Sequence, residues 1–167
     1  MAGNPYLWST TAATNASADS DINWAEGQLP GTVNDSARGM MAGVAGWLKD
    51  TNSTLTSGGT ANVLTVTSNV GYAALATGIR LHIKARLSNT AACTLNLTPA
   101  GGGAFGAKAI KLIIDSGETD PVANNIRING HYIFEYDSAA NAAAGAWILI
   151  NPSSITALRG LVLISAQ

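Results

Sequence analysis

The feature that most constrains the fold is a strict alternation of apolar and basic residues between positions 79 and 87. Every odd position from Ile79 to Leu87 is apolar, whereas the even positions hold Arg80, His82, Lys84 and Arg86. A period of two residues is typical of a strand with one buried and one exposed face. The sequence therefore predicts a β-strand whose outer face carries a cationic stripe (Arg80, His82, Lys84 and Arg86), and this basic stripe is a candidate ligand-binding surface.

The same period recurs through the second half of the sequence, and turn-forming residues separate its segments. The further predicted strands cover residues 62–67, 93–98, 109–114, 126–136 and 146–151. Six or seven short strands at this spacing favour an antiparallel β-sandwich or partly open barrel over residues 59–152. Residues 153–167 are expected to form a C-terminal tail or an extra strand. The fold class is therefore mainly β, preceded by an N-terminal extended arm and a short α-helix.

A helical period precedes the β segments. The apolar residues that recur at helical spacing are Val33, Ala37, Met40, Met41, Val44 and Leu48. The Pro30–Gly31 pair predicts a turn, after which Thr32 or Asn34 is expected to cap the helix and Asp35 to lie in its first turn. Residues 32–58 are therefore interpreted as a helix and a linker that ends at Gly58.

Three glycines, Gly39, Gly43 and Gly46, line a second face of this helix. Each costs a helix roughly 1 kcal/mol relative to alanine. This cost suggests that another backbone packs closely there, so we assign these glycines to oligomer packing. The alternative is a weak, short helix in which the glycines have no role.

Residues 1–31 are rich in Ser, Thr, Ala and Asn and contain too few apolar residues to fold alone. They are expected to form an extended attachment arm. Trp8, Ile22, Trp24 and Leu29 are its candidate docking anchors, because tryptophan is enriched at binding hot spots. The alternative is that both indoles fold back onto the helix or the β module.

Charged residues make up only 11% of the chain, against about 25% in an average soluble protein. A surface so poor in charge suits a protein covered by copies of itself or by other subunits, because interface cores are depleted in charge. We therefore expect a homo-oligomer, and specifically a trimer. A monomeric β protein with a neutral polar surface is the alternative. The net charge of −1 argues against bulk nucleic-acid binding, and no apolar run is long enough for membrane insertion.

No constellation of residues indicates catalysis, and no enzyme activity, cofactor or metal is expected. Gly101, Gly103 and Gly106 have the spacing of a dinucleotide fingerprint but lie between predicted strands, where no helix follows to bind phosphate. Cys93 alternates with leucines and is interpreted as a core residue. Glu135 and Asp137 share a strand face, so a carboxylate pair for glycoside hydrolysis stays open as an alternative. His82 and His131 have no further ligands at zinc spacing.

Several strings resemble bacteriophage and prophage tail-fibre-type proteins, which combine an N-terminal virion-attachment segment with a small β module. The most distinctive are Ile22-Asn-Trp-Ala-Glu-Gly-Gln-Leu-Pro-Gly31 and Val33-Asn-Asp-Ser-Ala-Arg-Gly-Met-Met41. Looser matches include Leu64-Thr-Val-Thr67, Gly78-Ile-Arg-Leu81 and Ala92-Cys-Thr-Leu-Asn-Leu97. The resemblance implies no catalytic residue.

The resemblance implies a structural component of a phage virion, assembled in the cytoplasm of the bacterial host. The expected partners are other virion proteins of the tail, baseplate, neck or capsid. Members of that family often continue into a shaft or receptor-binding tip, whereas this sequence stops soon after the β module, so we expect an adaptor or short tail fibre. The alternatives are a capsid decoration or head-fibre protein, and a module that binds host-surface glycans through the basic stripe.

Overall fold

A computed structural model describes residues 3–153 of the chain. Two short 3-10 turns, Pro5–Leu7 and Ala12–Ala16, precede the helix α1, which spans Pro30–Thr51. Nine strands follow within the described residues: β1 (Leu55–Thr56), β2 (Gly58–Gly59), β3 (Val63–Thr67), β4 (Arg80–Lys84), β5 (Thr94–Thr98), β6 (Ala107–Ile114), β7 (Gly117–Thr119), β8 (His131–Asp137) and β9 (Ala146–Leu149). The predicted C-terminal tail or extra strand, residues 153–167, lies outside the described residues except for Ser153.

The strands form one mixed sheet in the order β1-β4-β8-β9-β6-β5-β3-β2, with β7 added beside β6. The sheet curls until β1 approaches β3, so that it is nearly closed as a barrel. This confirms the mainly β class and the partly open barrel. The prediction of a purely antiparallel arrangement is wrong, because β1–β4, β3–β5 and β6–β9 are parallel pairs.

The alternation in the sequence fills the barrel. On β4, Leu81 and Ile83 point into the core, where Leu81 faces Phe134 and Ile83 faces Tyr132 across the antiparallel pairing with β8. The buried side chains of the other strands complete this core, including Leu64, Val66, Leu95, Leu97, Ile110, Trp147 and Leu149. Each large side chain buried in this way stabilises the fold by about 1.5–3 kcal/mol.

The predicted strands are present, most with shorter bounds, although the strand predicted at 109–114 begins two residues earlier, at Ala107. The strand predicted at 126–136 begins only at His131, because Ile126 lies in a buried loop whose backbone bonds to Asn89. The strands β1, β2 and β7 were not predicted. Two of them, Leu55–Thr56 and Gly58–Gly59, lie in the segment interpreted as a linker and pair with β4 and β3.

The helix begins earlier than the sequence suggested. Leu29 occupies the N-cap position and Pro30 the first turn, without a side-chain cap. Proline suits this position because the first helical N–H groups have no partner within the helix. The predictions that Thr32 or Asn34 caps the helix and that Asp35 lies in its first turn are therefore wrong. Asp35 instead pairs with Arg38 at 3.2 Å on the exposed surface.

The end of α1 is fixed to the barrel by a buried carboxylate. Asp50 accepts hydrogen bonds from the backbone N–H of Asn69 (2.7 Å) and its side-chain amide (2.8 Å). It also accepts from the Val70 N–H (3.2 Å) and the Tyr72 hydroxyl (3.4 Å). Asp50 is fully buried. It therefore joins the last turn of α1 to the loop that follows β3.

Burial raises the pKa of Asp50 above its ordinary value, although the hydrogen bonds from Asn69, Val70 and Tyr72 act in the opposite direction. Between the ordinary value of 3.8 and the higher folded value, the folded protein holds this proton more tightly than the unfolded chain. The stability contributed by Asp50 should thus fall as pH rises through this window. Denaturant unfolding of the wild type and Asp50→Asn tests this, because the variant lacks the titration. A free-energy difference between them that grows in favour of the wild type with rising pH contradicts the prediction.

Candidate docking surface

The glycine-lined side of α1 packs against the chain itself. A side chain at Gly43 would collide with the carbonyl of Gly3, and a Cβ at Gly46 would lie 3.1 Å from the carbonyl oxygen of Asn69. A Cβ at Gly39 would lie 3.3 Å from the carbonyl oxygen of Asp21. Another backbone therefore does approach this face, but it belongs to the same chain. Oligomer packing at Gly39, Gly43 and Gly46 would require this side of α1 to be free. Residues of the same chain already cover it, so the assignment of these glycines to oligomer packing does not fit the structure.

As a consequence, the apolar side chains of α1 remain partly or largely exposed. We call them the α1 apolar face: Val33, Ala37, Met40, Met41, Val44, Trp47 and Leu48. Met41 is 70% exposed, Leu48 56% and Trp47 43%, whereas the buried residues of the helix are Ser36, Gly43, Gly46 and Asp50. The helix thus buries its small and polar side and exposes its apolar side.

The N-terminal segment is folded along α1 and does not form the extended arm that the sequence predicted. The Gly3 N–H donates to the Gly39 carbonyl at 3.1 Å, and the Trp24 N–H donates to the Ala16 carbonyl at 3.0 Å. The Tyr6 ring meets the Tyr72 ring edge-on at 5.3 Å. The arm is therefore held by α1 and by the barrel, even though it lacks a core of its own.

Asp19 organises the arm. Its carboxylate accepts hydrogen bonds from the backbone N–H of Asn4 (2.6 Å), the Trp8 indole N–H (3.2 Å) and the Asp21 N–H (3.0 Å). Burial alone would raise the pKa of Asp19, but these hydrogen bonds lower it below the ordinary value. The sequence did not reveal this role, because a single aspartate in a polar segment carries no periodic signal. Its effect is to fix the orientation of the Trp8 indole.

The arm and α1 together form an apolar groove, which we call the arm groove. It is lined by Trp8, Ala12, Ala13, Asn15, Ala16, Ile22, Trp24 and Met40. Two charged side chains also line it, Asp19 at its inner part and Glu26 at its outer part. The structure therefore brings Trp8 and Trp24 together across the groove with Met40, although the two indoles are far apart in sequence.

The four predicted anchors have different positions. Trp8 is half-buried, Trp24 is 36% exposed and Leu29 is 73% exposed at the start of α1. Ile22 is buried at 5% exposure beneath the arm, so it supports the groove from inside and is not available as an exposed anchor. The apolar residues of the arm follow no regular period, so the sequence does not indicate which of them are exposed. For this reason the sequence did not distinguish the buried Ile22 from the exposed anchors.

Arg80, His82 and Lys84 of the basic stripe lie on the outer side of β4, Arg86 follows the end of that strand, and both arginines are engaged within the protein. Arg80 forms an ion pair with Glu135 on β8, and Arg86 donates to the Gly59 carbonyl at 2.7 Å. Partial burial, together with the nearby Arg80, lowers the pKa of His82. Lys84 lies opposite His131 in the β4–β8 register. The stripe therefore offers fewer free donors than its sequence suggested.

The residues considered for catalysis have structural contacts. Glu135 pairs with Arg80, and Asp137 accepts from the Ala139 N–H at 2.8 Å in the turn after β8. Cys93 is buried in the core, and burial raises the pKa of its thiol to about 12. Within residues 3–153, no three His, Cys, Asp or Glu side chains gather as a metal site would require.

Comparisons with models of protein families, with curated proteins and with solved structures found no match. Over the same described residues, no helix has both the length and the apolar character needed to cross a membrane. The arguments about function therefore depend on the surface itself. What this surface can do chemically is bind an apolar partner, through the arm groove and through the α1 apolar face.

Proposed function

We propose that this protein is a structural component of a phage virion, an adaptor or short tail-fibre protein that docks onto another virion protein through its N-terminal segment. The resemblance of residues 22–41 to tail-fibre-type proteins supports this proposal. In this proposal the protein catalyses no reaction, and its function is to join other virion proteins.

The observation that carries the proposal is the arm groove, where Trp8 and Trp24 flank Met40 at the surface. The chain as a whole is poor in charged residues. Tryptophans in such positions are the residues that contribute most to binding energy when a partner excludes water from them. Asp19 already holds the Trp8 indole in place, so little side-chain ordering is left for the binding event.

The glycan-binding alternative has less support. A glycan site needs donors that are free to reach hydroxyl or acidic groups, whereas Arg80 and Arg86 are engaged within the protein. A capsid decoration or head-fibre role would use the same groove. Cross-linking followed by mass spectrometry of intact particles would identify the neighbouring protein and so separate a tail position from a capsid position.

The test of docking is the amount of each variant that is incorporated into particles. Trp24→Ala should reduce incorporation strongly, since truncating a central tryptophan anchor costs about 2 kcal/mol or more. The combined replacement of Arg80, Lys84 and Arg86 should reduce it less, because exposed charges contribute little individually. Particles are purified from cells producing each variant, and the protein is quantified by mass spectrometry.

The matched control is Ile128→Ala, since Ile128 is an apolar side chain 55% exposed on a barrel loop. It should be incorporated like the wild type. Normal incorporation of Trp24→Ala together with loss of the basic-stripe variant would place docking on the barrel and refute the proposal.

A further inference from the structure

We propose that the α1 apolar face is where copies of this chain pack against one another. This inference concerns the side chains of that face other than Met40, which also lines the arm groove, and it stands whether or not that groove docks onto a virion protein. It also relocates the subunit contact from the glycine side of α1, which the chain covers itself, to the adjacent apolar side.

The first argument is the spacing of the exposed residues. Ala37, Met41, Val44 and Leu48 follow one another at intervals of four, three and four residues. Alternating steps of three and four residues are the pattern of a coiled-coil seam, in which side chains of one helix fit between those of another. A seam of this kind is complementary to an identical helix, which makes a second copy the natural partner.

The second argument is the extent of the face. The fractional exposures of its side chains correspond to roughly 600 Å² of accessible surface, the upper end of what a typical monomer leaves open in one patch. Two such faces in contact would bury about 1,200 Å², which reaches the range of stable, specific interfaces. The area available on α1 is therefore sufficient for a pair of copies.

The third argument is the position of the charges on α1. The exposed charged residues of the helix are Asp35, Arg38 and Lys49. At about 100° per residue, each lies roughly 100° or more around the helix from Val44, the centre of the face. Copies meeting at Val44 therefore place no charged residue of α1 at the centre of the contact, where an unpaired buried charge would oppose association. A foreign partner chosen by charge would have nothing to recognise here.

The test uses the full chain and the double replacement Met41→Gln with Leu48→Gln. Both residues lie away from the arm groove, and glutamine has nearly the same helix propensity as methionine and leucine. We expect the wild type to sediment as an oligomer of the 17.0 kDa chain at micromolar concentration. The double variant should associate at least tenfold more weakly, because it loses apolar burial at the contact, while its circular dichroism spectrum stays unchanged.

The matched control is Ile113→Thr with Ile114→Thr. These residues are exposed to a similar degree, 61% and 49%, but lie on β6, and threonine keeps the strand propensity. This control and Trp24→Ala should both associate like the wild type, whereas only Trp24→Ala should lose incorporation into particles. Association therefore tests the subunit contact and incorporation tests the docking site, so that either proposal can be refuted without the other.

A monomeric wild type overturns the inference, as does a Met41/Leu48 variant that associates normally. A chain ending at Ser153 identifies the occupant in the first case. If that chain associates while the full chain is monomeric, residues 154–167 cover the face. If both are monomeric, no copy of this chain occupies the face.

Discussion

Replacing Gly43 with leucine is expected to release the N-terminal arm from α1 while leaving the barrel folded. A side chain at position 43 would collide with the Gly3 carbonyl, and the backbone there is held by the hydrogen bond from Gly3 to Gly39. Overpacking of this kind typically costs about 1–3 kcal/mol. Because residues 3–29 have no core of their own, they cannot adapt to the larger side chain as a unit and should detach.

Limited chymotrypsin digestion measures this release, since the arm contains Tyr6, Leu7, Trp8 and Trp24 as cleavage sites. Cleavage within the arm should be at least tenfold faster in Gly43→Leu, and the remaining barrel fragment should resist digestion. The matched control is Gly31→Ala, another α1 glycine, beside which nothing lies within 4 Å. This control should be neutral or slightly stabilising, because alanine favours the helix by up to about 1 kcal/mol. Equal cleavage of both variants would mean that Gly43 does not hold the arm.

The arm variant also connects the fold to the proposed function. Trp8 and Trp24 form one groove only while the arm lies along α1, so Gly43→Leu should reduce incorporation into particles without touching either indole. This result would show that docking requires the folded groove and not merely the presence of two tryptophans. Normal incorporation of the variant would instead support an arm that docks in an extended form.

The strands of the barrel could be predicted because each has one buried and one exposed face. On β4, this alternation gives Leu81 and Ile83 inside and Arg80 outside. The parallel pairings could not be predicted, since a local period does not say which distant strand is the neighbour. Strands such as Leu55–Thr56 and Gly58–Gly59 are too short to show any period.

The orientation of α1 could not be predicted by the usual rule that apolar residues face inward. The rule fails because α1 approaches the arm and the loop after β3 backbone to backbone, which only small residues permit. One signal was present in the sequence. Ser36, Gly39, Gly43, Gly46 and Asp50 follow one another at intervals of three, four, three and four residues, and this regular small stripe marks the buried side. The apolar residues then lie outside it, where they are available to partners.

Removing the Asp50 carboxylate is expected to give the largest loss of stability that a single side chain of α1 can produce. Asp50→Ala leaves the N–H groups of Asn69 and Val70 and the Tyr72 hydroxyl without their acceptor. The Val70 N–H and the Tyr72 hydroxyl are buried, and each buried donor without a partner costs about 1–3 kcal/mol; relief from burying the carboxylate offsets part of this. The net loss should be about 3 kcal/mol, and the melting temperature should fall by about 10 °C for a chain of this size.

Thermal melts followed by far-ultraviolet circular dichroism measure this loss, with Asp35→Ala as the matched control. Asp35 lies on the same helix, but its side chain is 77% exposed and pairs with Arg38 at the surface, so its removal should change the melting temperature little. The two variants remove the same carboxylate chemistry from one helix and differ in burial and in the number of donors left behind. A melting temperature that falls equally in both would show that helix electrostatics, and not the bonds from the loop after β3, join α1 to the barrel. A fall confined to Asp50→Ala would establish this carboxylate as a connection that stabilises α1 on the barrel.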